Sequence, residues 1–501
     1  MNTIIHEKEI NIKSLEKIFF EIGCEFAREL FVKCLSTCDE QLAATRDKKL
    51  YRSKGKRTTT IKTLMGEVTY ERNVYQVKDK EIVHSEESDN NKLSTTAADS
   101  DAKKYVYLLD QVLGFDKVGM ISANLAERIA EAACDTSFSN AAKLISETTG
   151  QSISHTGVWN VVQKLGESLG EREKEEVRAY KNHELHGEVN REFLFEEADG
   201  VYLPLQGKDR KKNSAKKELR IAISYDGCKK VGKERYELHS KLVTCGFERV
   251  EEFRDIKESK IAKRYDYDEI KLRVFNSDGA RWLKKLHMPD TEFQLDRFHV
   301  HQKVCKKIHD KQAQNEIRKL YEENKVTELL TYIEAYSNSL DDEKDAADAR
   351  EVYEYLSSNK EGLVKYTDRG LKLPEPPEGV EYRLMGACES NVFGVIGNRM
   401  KRHGASWSIA GGQNLSKLLA LKAMKALSSG IAEIVKIGLP ERYKDDIIEV
   451  LSAAKAPKKD GCGYEWKHCL MPYEGVKVTA GRKEIREYCG LQPLSEIRLS
   501  F

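Results

Sequence analysis

The stretch EFLFEEADGVYLPLQG, residues 192–207, most narrows what this chain folds into. At the two-residue period of a strand, Phe193, Phe195, Glu197, Asp199, Val201, Leu203 and Leu205 share one face. Asp199 therefore lies on the apolar side, where a carboxylate is costly unless something neutralises it. The problem recurs twice. In EIKLRVFNSDG, Ile270, Leu272 and Val274 share a side, and Asp278 falls on it just past the strand end. In RLMGACESNVFGVIGNRMKRHG, residues 383–404, a period of about 100° per residue puts Val392, Phe393, Ile396 and Met400 on one helix face. Glu389 sits in the middle of that face, and Asn391, Asn398, Lys401 and Arg402 lie opposite. A broken local pattern is where a functional site is expected.

The runs around these acids set the fold class. KELRIAISYDGCKK and RYELHSKLVTCGF read as strands joined by an Asp226-Gly227 turn. A helix-like stretch over 250–265 and the strands EIKLRVF and EFQL follow. Three antiparallel strands, a helix and further β-structure is the order of an α/β, ribonuclease-H-like mixed-sheet core. Residues 300–372 are helical, acidic in places (LDDEKDAADA) and free of strand signal, which reads as an insertion. Beyond Gly404, QNLSKLLALKAMKAL reads as an amphipathic helix. Six regions are expected: an N-terminal helix with a basic β-hairpin (1–104), a helix-turn-helix-like region (105–185), the first part of the core (190–300), the helical insertion (301–380), the rest of the core with the Glu389 helix (381–430), and a C-terminal region (431–501).

At 501 residues, 40% hydrophobic and 33% charged, the chain is expected to fold into several domains. No apolar run reaches about 18 residues, which argues against a membrane span. The N-terminus lacks signal-peptide order, and eleven scattered cysteines look like reduced thiols, so a cytoplasmic, nucleoid-associated protein is expected. The net charge of +2 says little, but its distribution says more. Residues 46–63 hold eight Lys or Arg against one Asp, and residues 208–220 hold seven against two acids. A basic run is commonly only a solvated face, yet such blocks suit DNA phosphates. Arg52, Lys54, Lys56 and Arg57 in the first, Arg210, Lys211 and Lys212 in the second, and Arg399, Lys401 and Arg402 are the expected DNA contacts. TTTIKTLMGEVTYERNVYQ reads as a hairpin around Met65-Gly66, and residues 84–103 as a loop or linker. Ser154 is the expected N-cap of a helix over 154–166, the second of a helix-turn-helix pair or of an ordinary helical hairpin.

Divalent metal would account for the three acids together. Carboxylate oxygens suit Mg²⁺, and two ions about 3.5–4 Å apart can activate a water or a 3′-hydroxyl and stabilise a leaving oxygen. Taken singly, each acid is more simply a hydrogen-bonded or ion-paired exception. Glu197 is the alternative to Asp199, and Asp226 is better explained by turn chemistry.

With EEADGVYLPLQ, VFNSDGARWLKKL, ACESNVFGVIGNRMKRHGASWS and LDRFHVHQKV, the chain resembles bacterial insertion-sequence transposases of the DDE type. It is most similar to the ISLre-type family, a relative of Mutator-like transposases. In LDRFHVHQKV, Asp296 and His299 have the Asp-x-x-His form of an accessory signature in that group. The 110 residues between Asp278 and Glu389 agree with its all-helical insertion. The resemblance implies Asp199, Asp278 and Glu389 as ligands of two Mg²⁺ or Mn²⁺ ions, with His299 accessory at the scissile phosphate or in ordering the site. It implies cleavage of double-stranded DNA at element ends, strand transfer into target DNA, and a homo-oligomer on DNA. A two-metal nuclease without strand transfer and a domesticated, non-catalytic DNA-binding protein are the alternatives. A zinc site from His299, His301, Cys305 and His309 lacks a matching second ligand pair, and Cys462, His468 and Cys469 make an equally thin one.

Overall fold

The computed structural model describes residues 11–77, 105–115, 119–288, 291–402 and 404–435. The linker expected over 84–103, and Cys462, His468 and Cys469, lie outside the described residues. The chain divides into two units, one of residues 1–59, 69–112 and 438–501, the other of residues 60–68 and 113–437.

The first unit begins with α1 (Ile12–Thr45). Asn11 Oδ1 accepts from Ser14 N at 3.1 Å and Asn11 N donates to Ser14 Oγ at 2.9 Å, a reciprocal cap. β1 (Tyr51–Thr63) and β2 (Gly66–Val77) form the hairpin expected around Met65-Gly66, and β3 (Tyr105–Val106) pairs with β2, ahead of α2 (Leu108–Leu113). Buried Asp39 of α1 accepts from Asn73 N at 2.9 Å and Asn73 Nδ2 at 2.7 Å, pinning helix to hairpin. Residues 51–63 of the basic block are strand, and Arg52, Lys54, Lys56 and Arg57 are exposed on β1.

The second unit opens with α3 (Ala123–Asp135), α4 (Phe138–Thr148) and α5 (His155–Lys181). Ser154 Oγ accepts from Gly157 N at 3.1 Å, the cap read from sequence. α5 runs to Lys181, well past residue 166, because Val158, Val161, Val162, Leu165 and Leu169 bury one continuous face. His155, Thr156, Trp159 and Asn160 remain exposed at its start.

β4 (Phe193–Pro204) leads through α6 (Gly207–Lys212) to β5 (Lys216–Tyr225), then β6 (Cys228–Lys230), β7 (Tyr236–Leu238), β8 (Leu242–Gly246), α7 (Val250–Arg264), β9 (Leu272–Ser277) and β10 (Thr291–Leu295). The main sheet has the order β10-β9-β4-β5-β8. β5 is antiparallel to both β4 and β8, whereas β4, β9 and β10 run parallel. The turn at Asp226-Gly227 does not join two strands of this sheet. It leads into β6, which with β7 and a later strand makes a small separate sheet, and β5 pairs with β8 beyond that excursion. Turn chemistry also fails to explain Asp226. Its carboxylate is fully buried, accepts from Arg191 Nε at 2.8 Å and lies 2.6 Å from His239 Nδ1.

Both faces of the main sheet are covered. Phe193, Phe195, Val201 and Leu203 pack with Val162, Leu165, Leu415 and Leu418, while Ala198, Ala222 and Phe275 pack with Phe253, Leu283 and Leu286. A strand buried on both sides keeps no solvent face, so Glu196 is buried as well as Glu197.

After β10 come α8 (Arg297–Lys307), α9 (Lys311–Glu322), α10 (Val326–Ser339) and α11 (Glu343–Ser358), which carry their own apolar core around Val304, Ile317, Leu329, Ile333 and Val352. β11 (Val380–Glu381), α12 (Cys388–Asn391), a π-helix over Val392–Lys401, α13 (Ile409–Ala423) and α14 (Leu427–Val435) complete the described chain. α13 is buried almost all round rather than amphipathic. Among the described residues, no helix is long and apolar enough to cross a membrane, and the cysteines are unbridged.

Candidate metal and phosphoryl-transfer site

Three carboxylates, Glu196, Glu197 and Asp199, lie near the middle of β4, and the structure treats them differently. Glu196 meets Lys257 and Arg273, the latter at 3.1 Å, in a buried cluster with Glu258. Glu197, at 0% exposure, accepts from Tyr225 Oη at 2.7 Å, from Asn276 Nδ2 at 3.0 Å, and from the backbone N–H groups of Gly386, Ala387 and Cys388 at 3.1 Å each. Both are therefore compensated. Asp199 is not: among the described residues its one hydrogen bond comes from the adjacent Gly200 N–H, at 2.7 Å, and no Lys or Arg pairs with it. Burial, with the nearby charges of Asp278 and Glu389, pushes its carboxyl up to about 6, against the pull of Gly200 N–H and His299.

Glu197 explains how Glu389 reaches the same place. The N–H groups of Gly386, Ala387 and Cys388, leading into and opening α12, converge on this one buried carboxylate and fix α12 against β4. Glu389 is then exposed, not aimed into a core. The 100° projection fails because Val392–Lys401 is a π-helix, whose wider turn buries Val395, Ile396, Gly397 and Met400 and leaves Phe393 50% exposed. Arg399, expected among the outward cations, instead donates from Nε to Ala133 O at 2.7 Å and lies over the rings of Phe138 and Trp407. Lys401 and Arg402 are exposed, as are Arg210, Lys211 and Lys212 on α6.

His299 arrives from the first turn of α8. Asp296 caps that helix, accepting from Phe298 N at 2.8 Å and His299 N at 3.2 Å, while its other oxygen accepts from Asn276 Nδ2 at 2.7 Å. Asn276, which sequence reasoning did not single out, thus bridges Glu197 and Asp296. The Asp296 carboxylate sits 3.4 Å from His299 Nδ1 and holds that imidazole above its ordinary range, opposed by burial and helped by Asp199 and Asp278.

Asp199, His299 and Glu389 each offer a ligand atom within 4.8 Å of the others. Asp278 follows β9, the parallel neighbour of β4, and its Oδ1 accepts from Ala280 N at 2.9 Å. It lies outside that tight group, yet its charge acts on both Asp199 and His299. Neither Asp278 nor Glu389 pairs with a Lys or Arg among the described residues. Three carboxylates without a Lys or Arg partner among the described residues fit hard divalent ions. Glu218 joins this acidic region: burial raises its carboxyl, Arg220 opposes and Asp278 adds to the rise, and a Cβ at Gly200 would overlap its Oε1. The zinc set does not assemble among the described residues, where His301 lies 3.6 Å from Glu322, His309 lies 3.9 Å from Asp345 and Cys305 is exposed.

Residues 5–84 and 95–434 match the profile of the uncharacterised protein family UPF0236. The chain belongs to that family. It is also 24% identical over 339 residues to a "UPF0236 protein in vanSb 3'region" of Streptococcus gallolyticus, covering 65% of this chain and 68% of that protein. Neither description assigns an activity to UPF0236, so its chemistry has to be argued from the side chains above.

Proposed function

We propose that this UPF0236 chain is a DDE-type DNA transposase of the ISLre kind, which cuts element ends and joins them to target DNA by metal-dependent phosphoryl transfer. The observation carrying this reading is that Asp199 meets Glu389 and His299 within 4.8 Å, with no Lys or Arg partner among the described residues, on a strand whose other two acids are fully partnered. The sheet supports it. Three antiparallel strands followed by two parallel ones, in the order β8-β5-β4-β9-β10, match a ribonuclease-H-like core. Asp199 on the first strand, Asp278 after the fourth and Glu389 on a helix beyond a helical insertion match the places of the three acids in such enzymes.

Asp199, Asp278 and Glu389 would hold two Mg²⁺ or Mn²⁺ ions. Bound there, the ions supply Lewis acidity for the attacking and leaving oxygens of a phosphodiester. The chain's own part is positioning. Glu197 fixes the start of α12 and so the reach of Glu389, and Asn276 ties that anchor to Asp296. Asp296 keeps His299 more fully protonated near neutral pH, which places a positive donor where a phosphate oxygen needs one. Exposed Arg52, Lys54, Lys56, Arg57, Arg210, Lys211, Lys212, Lys401 and Arg402 would hold backbone phosphates, fixing register without reading sequence.

The test is Mg²⁺-dependent cleavage of a labelled element end by the full chain and by Glu389→Gln. Loss of cleavage with DNA binding retained is expected; full cleavage by the variant overturns the assignment. Strand transfer from pre-cut ends separates a transposase from a nuclease. Activity unchanged in Asp278→Asn would favour a DNA-binding protein without catalysis.

A further inference from the structure

Beside the acid site lies a cavity of about 300 Å³ that shares two residues with it, Asp278 and His299. Its remaining walls come from α8 and α11. On α8, His299, Lys303, Lys306 and Lys307 recur at three- and four-residue spacing, so they form one row leading away from the acids. Lys303 donates to Glu351 Oε1 at 2.9 Å and sits 4.8 Å from the centre of the Tyr355 ring. Lys307 is held at 2.7 Å by both Asp348 and Glu351. Lys306 donates only to the neutral Gln302, at 3.2 Å, and has no carboxylate partner among the described residues. Tyr355 Oη is buried at this wall with no hydrogen-bond partner among the described residues. A buried hydroxyl without a partner is destabilising, and it marks where a ligand's acceptor would sit.

Lys303 and Lys307 are already paired with Glu351 and Asp348, so Lys306, whose hydrogen-bond partner is neutral, is the lining lysine left to meet an anion. Because the cavity adjoins the acid site directly, its occupant has to be continuous with whatever reacts there. We infer that the cavity takes a backbone phosphate of a single nucleic-acid strand running past the reacting phosphodiester, with Lys306 and Tyr355 as its donors. The cavity is open on one side and takes the backbone of one strand at a time. The inference rests on the phosphoryl-transfer reading, and it extends that reading to the path of the substrate beyond the bond that breaks.

The test measures DNA affinity of the full chain, with Ca²⁺ in place of Mg²⁺, for two element-end duplexes. One carries a single-stranded extension beyond the reacting phosphate, and the other stops at that phosphate. Lys306→Ala is expected to weaken binding of the extended DNA about fivefold and to lower its salt slope by about 0.7, the value for one contact to single-stranded phosphate. Tyr355→Phe, which removes only the hydroxyl, is expected to weaken it about tenfold. The truncated DNA should bind both variants as it binds the unaltered chain. Equal effects on the two DNAs, or none on either, overturn the inference while cleavage by the unaltered chain keeps the transposase reading. Failure of the unaltered chain to bind either DNA removes both.

Discussion

Asp199→Asn should make the metal-free protein more stable. A carboxyl near 6 instead of 3.8 carries an anion disfavoured by about 3 kcal/mol, at about 1.4 kcal/mol per pH unit. Residual solvent at the partly buried site reduces this to about 1–3 kcal/mol. The sign follows from linkage. A carboxyl raised on folding favours the folded state below its unfolded value, near 3.8, and loses that advantage as pH rises through about 6. In EDTA at pH 8 the variant should therefore be more resistant to urea than the unaltered chain, with the gap closing towards pH 4. Adding Mg²⁺ should reverse the ranking, because only the unaltered chain gains binding energy in the folded state. Destabilisation of Asp199→Asn by more than about 1 kcal/mol at pH 8 without metal would refute the reasoning, since the carboxylate would then be a structural partner.

Glu197→Ala removes the acceptor of five donors, three of them backbone N–H groups of residues 386–388 leading into α12. It should cost about 3–5 kcal/mol in urea unfolding, and it should abolish cleavage although Glu197 touches no substrate. Gly166→Ala places a Cβ onto Asn414 where α5 crosses α13, so a loss of about 2–3 kcal/mol is expected by the same assay. Arg399→Ala should lower the thermal midpoint with DNA affinity at constant salt unchanged, whereas Arg402→Ala should weaken DNA binding and leave the midpoint alone.

Legibility divides along physical lines. The alternation of β4 and the cap at Ser154 are local signals, and the structure carries them where the residues put them. Partnership is not local. What separates Asp199 from Glu196 and Glu197 is the company of Lys257, Arg273, Asn276 and Cys388, residues 61 to 191 positions away along the chain. No window of sequence displays that company, so Glu197 could be seen as a rival ligand but not as the anchor of α12. Asp226 was hidden for the same reason, its partners being Arg191 and His239. Glu389 was found by a projection whose period the π-helix breaks: the residue was singled out, but its burial was misread. The basic row on α8 carries no signal in the sequence, because its relation to Tyr355 depends on how α11 packs.

If divalent ions stand where Lys or Arg would otherwise pair with Asp199, Asp278 and Glu389, the metal-free chain should bind them saturably. Titrating Mn²⁺ into the metal-free chain and counting bound ions by electron paramagnetic resonance tests this most directly. Two ions per chain are expected, with at least one lost in Glu389→Gln and binding abolished in Asp199→Asn. Undiminished binding in both variants, or no saturable binding by the unaltered chain, would contradict it.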